Sequence, residues 1–280
     1  MQNRVLSDFI SRCLKEDIGD GDHSSLACIP GEASGKARLL VKEQGLLSGS
    51  EVAGEVFRFV DSDLKFEPFI SDGSNISPGD IVFHVYGRIQ SILKSERLVL
   101  NIMQRMSGIA TSTGMYIERI KGLKTKVLDT RKTTPGMRFL EKEAVRTGGG
   151  LNHRMGLYDM IMLKDNHIDY AGGIENAIRK TRVYLTRTRK NLRVEIEARN
   201  LDEVRKILDI GGVDRIMLDN FNLSDTMKAV KLIRGRFETE SSGGITLETI
   251  RAYAECGVDY ISAGALTHHI KSLDMSLKVF

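Results

Sequence analysis

Apolar residues in the opening stretch, MQNRVLSDFISRCLKEDIG, recur at helical spacing and predict an amphipathic N-terminal helix. The pattern then shifts to a strand over KARLLVKE, a helix over EVAGEVFRFV, and short strands around DLKFEPFI and DIVFHVYG. A Pro-Gly turn, Ile76 to Asp80 (ISPGD), divides the last two strands. From Ile92 to Ile109 the residues Leu93, Val99, Ile102, Met103 and Met106 again fall at helical intervals, so a long helix closes this part and carries Arg97 and Arg105 on a similar face. This reads as a mixed α/β unit.

After Lys126 the pattern changes. The segments KVLD, MIML, RVEIE, DRIML, FETES and DYISA read as strands, most of them followed by a helical segment. Asn200 is placed to cap one of these helices, with Glu203 completing a capping box ahead of Val204, Ile207 and Leu208. Successive strand–helix units imply a parallel sheet, and an unbroken run of them favours a closed barrel over an open doubly wound sheet. No Gly-x-Gly-x-x-Gly signature follows an early strand, which weakens a dinucleotide-binding reading. The expected domains are residues 1–110, an α/β unit, and 111–280, a barrel whose last residues are free to pack back on the first domain.

Composition narrows the class. With 280 residues, 41% hydrophobic and 28% charged, the chain has ample material for a buried core and no case for extended disorder. A net charge of +4 is mild and suggests an anionic small molecule rather than a nucleic acid. No stretch reaches the length of a membrane span. The first residues lack the continuous apolar run of a signal peptide, and Cys13, Cys28 and Cys256 form neither a disulfide framework nor a zinc pattern, which points to the cytoplasm.

The candidate chemistry lies at the strand ends. In a parallel barrel, catalytic groups come from the C-terminal ends of the strands and meet on one rim. Those ends here carry Asp129, Arg131 and Lys132; Lys164, Asp165, Asn166 and His167; Glu197; Asp219 and Asn220; Ser242, Gly243 and Gly244; and Gly264. The stretch LDTRKTTPG concentrates cations and hydroxyls, and GGGLNHR sets His153 and Arg154 behind three glycines, which reads as a flexible loop able to approach a ligand. With Arg138 and Lys164 these cations imply a multiply anionic ligand, although any one of them is equally explained by pairing with Glu141, Glu143 or Asp165. Glu197 and Asp219 suit ribose hydroxyls or a magnesium ion; the bland alternative is a salt bridge to a neighbour such as Arg215. The turns SSGGI and SAGAL offer backbone N–H groups to phosphate.

Taken in order, LNIMQRMSGIAT, LDTRKTTPGMR, EKEAVRTGGGLNHRMGLYDMIMLKDNHI, IMLDN, SGGI and GVDYISAGALTH resemble quinolinate phosphoribosyltransferases over nearly the whole chain, including KEDIGDGDHSS near the start. The resemblance implies an N-terminal α/β sandwich on an incomplete barrel and the conversion of quinolinate and phosphoribosyl diphosphate to nicotinate mononucleotide, carbon dioxide and pyrophosphate, with Mg2+. It also implies a homodimer in which Arg105 reaches the partner's acceptor. By motif, Thr130, Arg131, His153, Arg154 and Lys164 surround the acceptor, Lys132 lies between acceptor and pyrophosphate, and Glu197 and Asp219 meet ribose and magnesium. Ser242, Gly243, Gly244, Gly264, Ala265, Leu266 and His268 match the phosphate-binding turns, and the catalytic set is Lys132, Lys164, Glu197 and Asp219. The chain departs from the family pattern at His23, at SSGGI and at LTHHI.

Three rival readings use the same residues. A paralogue of molybdate-transport loci shares the motifs but takes another acceptor, against which the TRK and NHR pair argues. A Schiff-base role for Lys164 needs an apolar setting, and Asp165 brackets it instead. The basic segment Arg179–Arg193, with seven cations and no acid, is a possible polyanion surface, but Ile178, Thr181, Tyr184 and Leu185 fit a barrel helix with a solvated basic face.

Overall fold

The computed structural model describes residues 2–280 and shows a mixed α/β chain; residue 1, the first of the expected N-terminal helix, lies outside the described residues. Helices α1 (Gln2–Ile18) and α2 (His23–Cys28) precede strands β1 (Ser34–Val41) and β2 (Gly45–Leu46), helix α3 (Ser50–Val60), and strands β3 (Lys65–Pro68), β4 (Asn75–Ile76) and β5 (Ile81–Arg88). Helix α4 (Ile89–Arg119) follows, longer at both ends than the periodicity alone predicts. The turn Ser77–Asp80 is closed by the Asp80 carboxylate, which accepts the Ser77 N–H at 2.8 Å, and by Gly79 at φ +97°.

The remaining elements alternate: β6 (Lys126–Leu128), α5 (Arg138–Thr147), β7 (Ile161–Leu163), α6 (Asp165–Ala171), α7 (Ile174–Thr188), β8 (Val194–Ala198), α8 (Leu201–Ile210), β9 (Arg215–Asp219), α9 (Leu223–Ile233), β10 (Glu238–Ser242), α10 (Ile250–Glu255), β11 (Tyr260–Ser262), α11 (Ala265–His268) and β12 (Met275–Val279). The chain forms two compact units, neither continuous in sequence. The first takes the chain up to Ser112 together with Pro135–Gly148 and Ile270–Phe280, and the second takes Thr113–Thr134 and Gly149–His269.

In the first unit an antiparallel sheet in the order β12-β1-β5-β3 buries Leu39, Val41, Val82, Phe83 and Val85 against the apolar face of α3, where Ala53, Val56 and Phe57 are fully enclosed. The rings of Phe57 and Phe83 meet edge to face at 5.7 Å. Gly108 of α4 sits against the backbone of Lys271 and Ser272, a contact that leaves no room for a Cβ. Asp61 caps the end of α3 and receives a bidentate pair from Arg88 at 2.6 and 2.7 Å.

The second unit is a parallel sheet in the order β6-β11-β10-β9-β8-β7, with β6 and β7 at its open edges: the incomplete barrel that the family resemblance implies, and not the closed barrel that the strand–helix alternation predicts, because β6 and β7 do not pair. Val194, Ile196, Ala198, Ile216 and Leu218 occupy alternate strand positions and are buried with Val204, Ile207 and Ala229 of the helices. The cap of α8 is half as expected. Asn200 accepts the Glu203 N–H at 3.0 Å, but Glu203 reaches back one residue further, to the Arg199 N–H at 2.7 Å, because its other oxygen is held by the Arg199 guanidinium. On α7, Ile178 and Thr181 are buried and Leu185 is half-buried, whereas Tyr184 is exposed, so the core-facing stripe is shorter than predicted.

Candidate active site

Strand register explains which side chains share the interior of the sheet. Glu195 of β8 lies beside Arg215 of β9, which lies beside Glu238 of β10; one step higher, Glu197 aligns with Met217 and Met217 with Glu240; at the top Asp219 aligns with Ser242. Since side chains two apart face the same way, the inner surface is a stack of charged layers with Asp219, Glu197 and Ser242 at the C-terminal rim.

On that rim Lys164 extends Nζ to Glu197 Oε1 at 2.8 Å, and the Asp165 N–H donates to the other oxygen at 3.1 Å. Asp219 accepts from Asn220 Nδ2 at 2.9 Å; burial and the nearby Glu197 carboxylate raise its pKa above the usual aspartate value. Arg154 is half-buried, and burial together with the charge of Arg131 lowers its pKa from the arginine value, while Glu195, Asp159 and Glu197 oppose that shift. Glu197 thus acts on both Arg154 and Asp219, while Arg131 acts on Arg154 and Lys164 on Asp219.

The opposite side of the rim gathers around α11. A Cβ added to Gly264 would lie 2.8 Å from His268 Nε2 and 3.0 Å from Lys132 Cδ, so these three residues converge. Thr267 Oγ1 donates to the Lys132 carbonyl at 2.7 Å, and Thr130 Oγ1 accepts the Lys132 N–H at 3.0 Å, which fixes the Lys132 backbone at both its N–H and its carbonyl. Burial, then His269 and Lys132, lower the His268 pKa and favour its neutral form. Gly243 and Gly244 adopt φ +97° and +61°, and a Cβ at Gly243 would overlap Asn220 Oδ1, so this turn requires glycine. The Leu266 side chain is fully buried and Ala265 half-buried, leaving the backbone as what this turn presents.

Two expectations change. The GGGLNHR segment is not loose: Leu151 forms a parallel bridge with Leu128, its N–H donating to the Val127 carbonyl at 2.8 Å, and Asp129 Oδ1 accepts the His153 N–H at 2.9 Å. Arg215 pairs with neither Glu197 nor Asp219; it binds Glu240 at 2.7 Å and Glu238 at 3.0 Å and stacks on Tyr260 with its guanidinium carbon 4.0 Å from the ring centre. Arg105 and Arg138 belong to the first unit, where Arg105 holds the fully buried Glu141 at 2.7 Å.

Sequence reasoning missed the floor below the rim. His153 points its Nε2 at Glu195 Oε2, 2.8 Å away, with Glu240 Oε2 at 3.5 Å, and both carboxylates are completely buried. Burial works against charging the imidazole, but Glu195 and Glu240 outweigh it and push its pKa to about 9. Burial and Glu240 push Glu195 up to about 7. The signal was present as charges at alternate positions of RVEIEA and FETES, a period that also describes a half-exposed strand.

The family models described as "Quinolinate phosphoribosyl transferase, N-terminal domain" and "C-terminal domain" match residues 22–107 and 109–278. The chain is 45% identical over 289 residues to a chloroplastic nicotinate-nucleotide pyrophosphorylase [carboxylating] of Oryza sativa subsp. japonica, covering 98% of this chain and 77% of the relative. It is 41% identical over 279 residues to a probable nicotinate-nucleotide pyrophosphorylase [carboxylating] of Bacillus subtilis, covering 100% and 95%. A crystal structure of NadC from Streptococcus pyogenes superposes with a TM-score of 0.92 at 40% identity, covering 98% of this chain and 97% of that one.

Proposed function

The chain belongs to the quinolinate phosphoribosyltransferase family, and from that premise we propose that its rim joins quinolinate to phosphoribosyl diphosphate and releases nicotinate mononucleotide, carbon dioxide and pyrophosphate. The observation that carries this reading is that Glu197 bonds Lys164 at 2.8 Å and bears on both Arg154 and Asp219, with Arg131 bearing on Arg154. A pyridine bearing two adjacent carboxylates matches two guanidinium forks and an ammonium, and the ribose phosphate matches the glycine turns at Gly243–Gly244 and Gly264.

Charge then accounts for the chemistry. As pyrophosphate leaves, the anomeric carbon gains positive character beside Glu197 and Asp219, while Lys132 meets the departing negative charge. The pyridine nitrogen attacks that carbon; Arg131 and Arg154 fix the ring by its carboxylates, so little orientational freedom remains to be lost. The pyridinium so formed draws electrons from the adjacent carboxylate, and carbon dioxide departs. Among the described residues Glu197 and Asp219 supply paired hard oxygen donors close enough for one carboxylate to raise the other's pKa, a donor set that fits a magnesium ion completed by substrate phosphates and water. Bound there, magnesium would neutralise charge on the leaving pyrophosphate. The resemblance further supports a homodimer in which the partner's copy of Arg105 completes the acceptor pocket.

Incubation with quinolinate, phosphoribosyl diphosphate and Mg2+ yields nicotinate mononucleotide on this reading, and Lys132→Ala, at an exposed position, lowers turnover by roughly 10²-fold or more without lowering the melting temperature. A wild-type chain that ignores quinolinate while using a different acceptor would move the assignment to the paralogue.

A further inference from the structure

Glycine is the ordinary residue for a left-handed backbone position, so a side chain kept at one calls for a reason. Among the described residues, Arg189 at φ +54°, Asn220 at +55° and Arg234 at +51° are the non-glycine cases. Arg189 and Arg234 close helices α7 and α9, where this conformation is common. Asn220 instead follows directly on β9 at the rim, one residue after Asp219. Its backbone is pinned from both sides. The Asn220 N–H donates to the Ser242 carbonyl at 2.9 Å, which carries the β9–β10 pairing one step past the strand. Beyond it, Tyr253 Oη donates to the Phe221 carbonyl at 2.9 Å, and Asn222 caps α9 by accepting the Asp225 N–H at 2.9 Å.

The Asn220 side chain spans two parts of the rim that the proposed reaction uses together. Its Nδ2 donates to Asp219 Oδ2 at 2.9 Å, a charge-assisted bond to the carboxylate that meets the ribose. Its Oδ1 lies against Gly243, in the space a Cβ there would need, and Gly243 at φ +97° belongs to the turn that meets the phosphate. We propose that Asn220 is a positioning residue for phosphoribosyl diphosphate: it ties the Asp219 carboxylate to the Ser242–Gly244 turn and so fixes the spacing between the ribose and phosphate contacts. The proposal rests on the reading that this rim receives that donor. Because Asn220 is exposed, removing its amide changes the spacing and leaves the packing beneath intact. Glycine alone would satisfy the backbone at this position, but it would leave Asp219 and the turn unconnected by any side chain of their own linker.

Asn220→Gly is the test, since glycine keeps the left-handed backbone and removes only the amide. Steady-state kinetics on the full chain with Mg2+ is expected to show KM for phosphoribosyl diphosphate raised roughly tenfold, the usual effect of losing one hydrogen bond to a charged group. KM for quinolinate stays within about twofold of wild type, and the melting temperature within about 2 °C. Gly243→Ala measured in both backgrounds supplies a second arm. The alanine raises the donor KM by a smaller factor in Asn220→Gly than in wild type, because the side chain it collides with is gone. An Asn220→Gly variant with the wild-type donor KM overturns the proposal, as do two substitutions whose factors simply multiply. So does a variant in which both KM values rise together with a fall in melting temperature, the signature of a merely structural residue. A wild type that forms no nicotinate mononucleotide fails the functional reading instead; direct titration of phosphoribosyl diphosphate into wild type and Asn220→Gly then still reads the positioning role, which requires the same roughly tenfold loss of affinity.

Discussion

Replacing Arg215 with methionine tests whether the charged floor is held by its central cation. Arg215 is 7% exposed and bonds the completely buried Glu240 at 2.7 Å and the part-buried Glu238 at 3.0 Å. Arg215→Met keeps much of the side-chain volume but leaves Glu240 in a low-dielectric interior without its guanidinium partner. Breaking a buried ion pair in this way costs about 3–5 kcal/mol. A chain of this size loses roughly 2–4 °C of melting temperature per kcal/mol, so a fall of about 6–20 °C is expected by far-UV circular dichroism at neutral pH. The sharper measurement is the cycle with Glu240→Met. If the loss arises from an orphaned charge, the double variant melts above the Arg215→Met single variant, because an apolar pair no longer carries an uncompensated carboxylate. A single variant within about 2 °C of wild type, or a double variant whose losses simply add, refutes the reasoning.

Two other outcomes follow from particular contacts. Arg88 holds Asp61 well below the usual carboxylate range, and a depressed folded-state pKa stabilises the fold above the unfolded value near pH 4 and is lost as the pH falls further; the melting temperature of Asp61→Asn is therefore lower than wild type at pH 7, and the gap narrows from about pH 4 toward pH 2. Gly243→Ala places a Cβ against Asn220 at φ +97°, costing about 1–2 kcal/mol of local strain, and raises KM for phosphoribosyl diphosphate while leaving quinolinate affinity near wild type, as steady-state kinetics with each substrate varied will read.

The rim was legible because apolar strands ending in charge announce themselves: Lys164 after IML, Asp219 after RIML and the glycines after ETESS all fall at the strand ends where the alternation of elements put them. The floor was not. Glu195, Arg215 and Glu240 sit at alternate strand positions, and local sequence does not say whether the polar face of such a strand meets water or the inside of a barrel. Only the pairing of β8, β9 and β10 brings these charges together. Glu203 shows the same limit at shorter range: its spacing from Asn200 predicted a reciprocal cap, and the guanidinium of Arg199 redirected it. Tyr184 was placed on the buried stripe by period alone, but the α7 stripe runs out after Thr181 and Leu185, leaving the ring in solvent.

The antiparallel sheet of the first unit has an implication for biosynthesis. Ala37–Val41 pair with Met275–Val279, and Gly108 is packed against Lys271, so β1 finds its outer neighbour only after every strand of the parallel sheet between them has been made. The parallel sheet, by contrast, has all its strands once Ser262 has been made. The parallel layer can therefore mature first, while the antiparallel layer waits with one flank of β1 unprotected, the kind of exposed border that invites chaperone binding or misassociation.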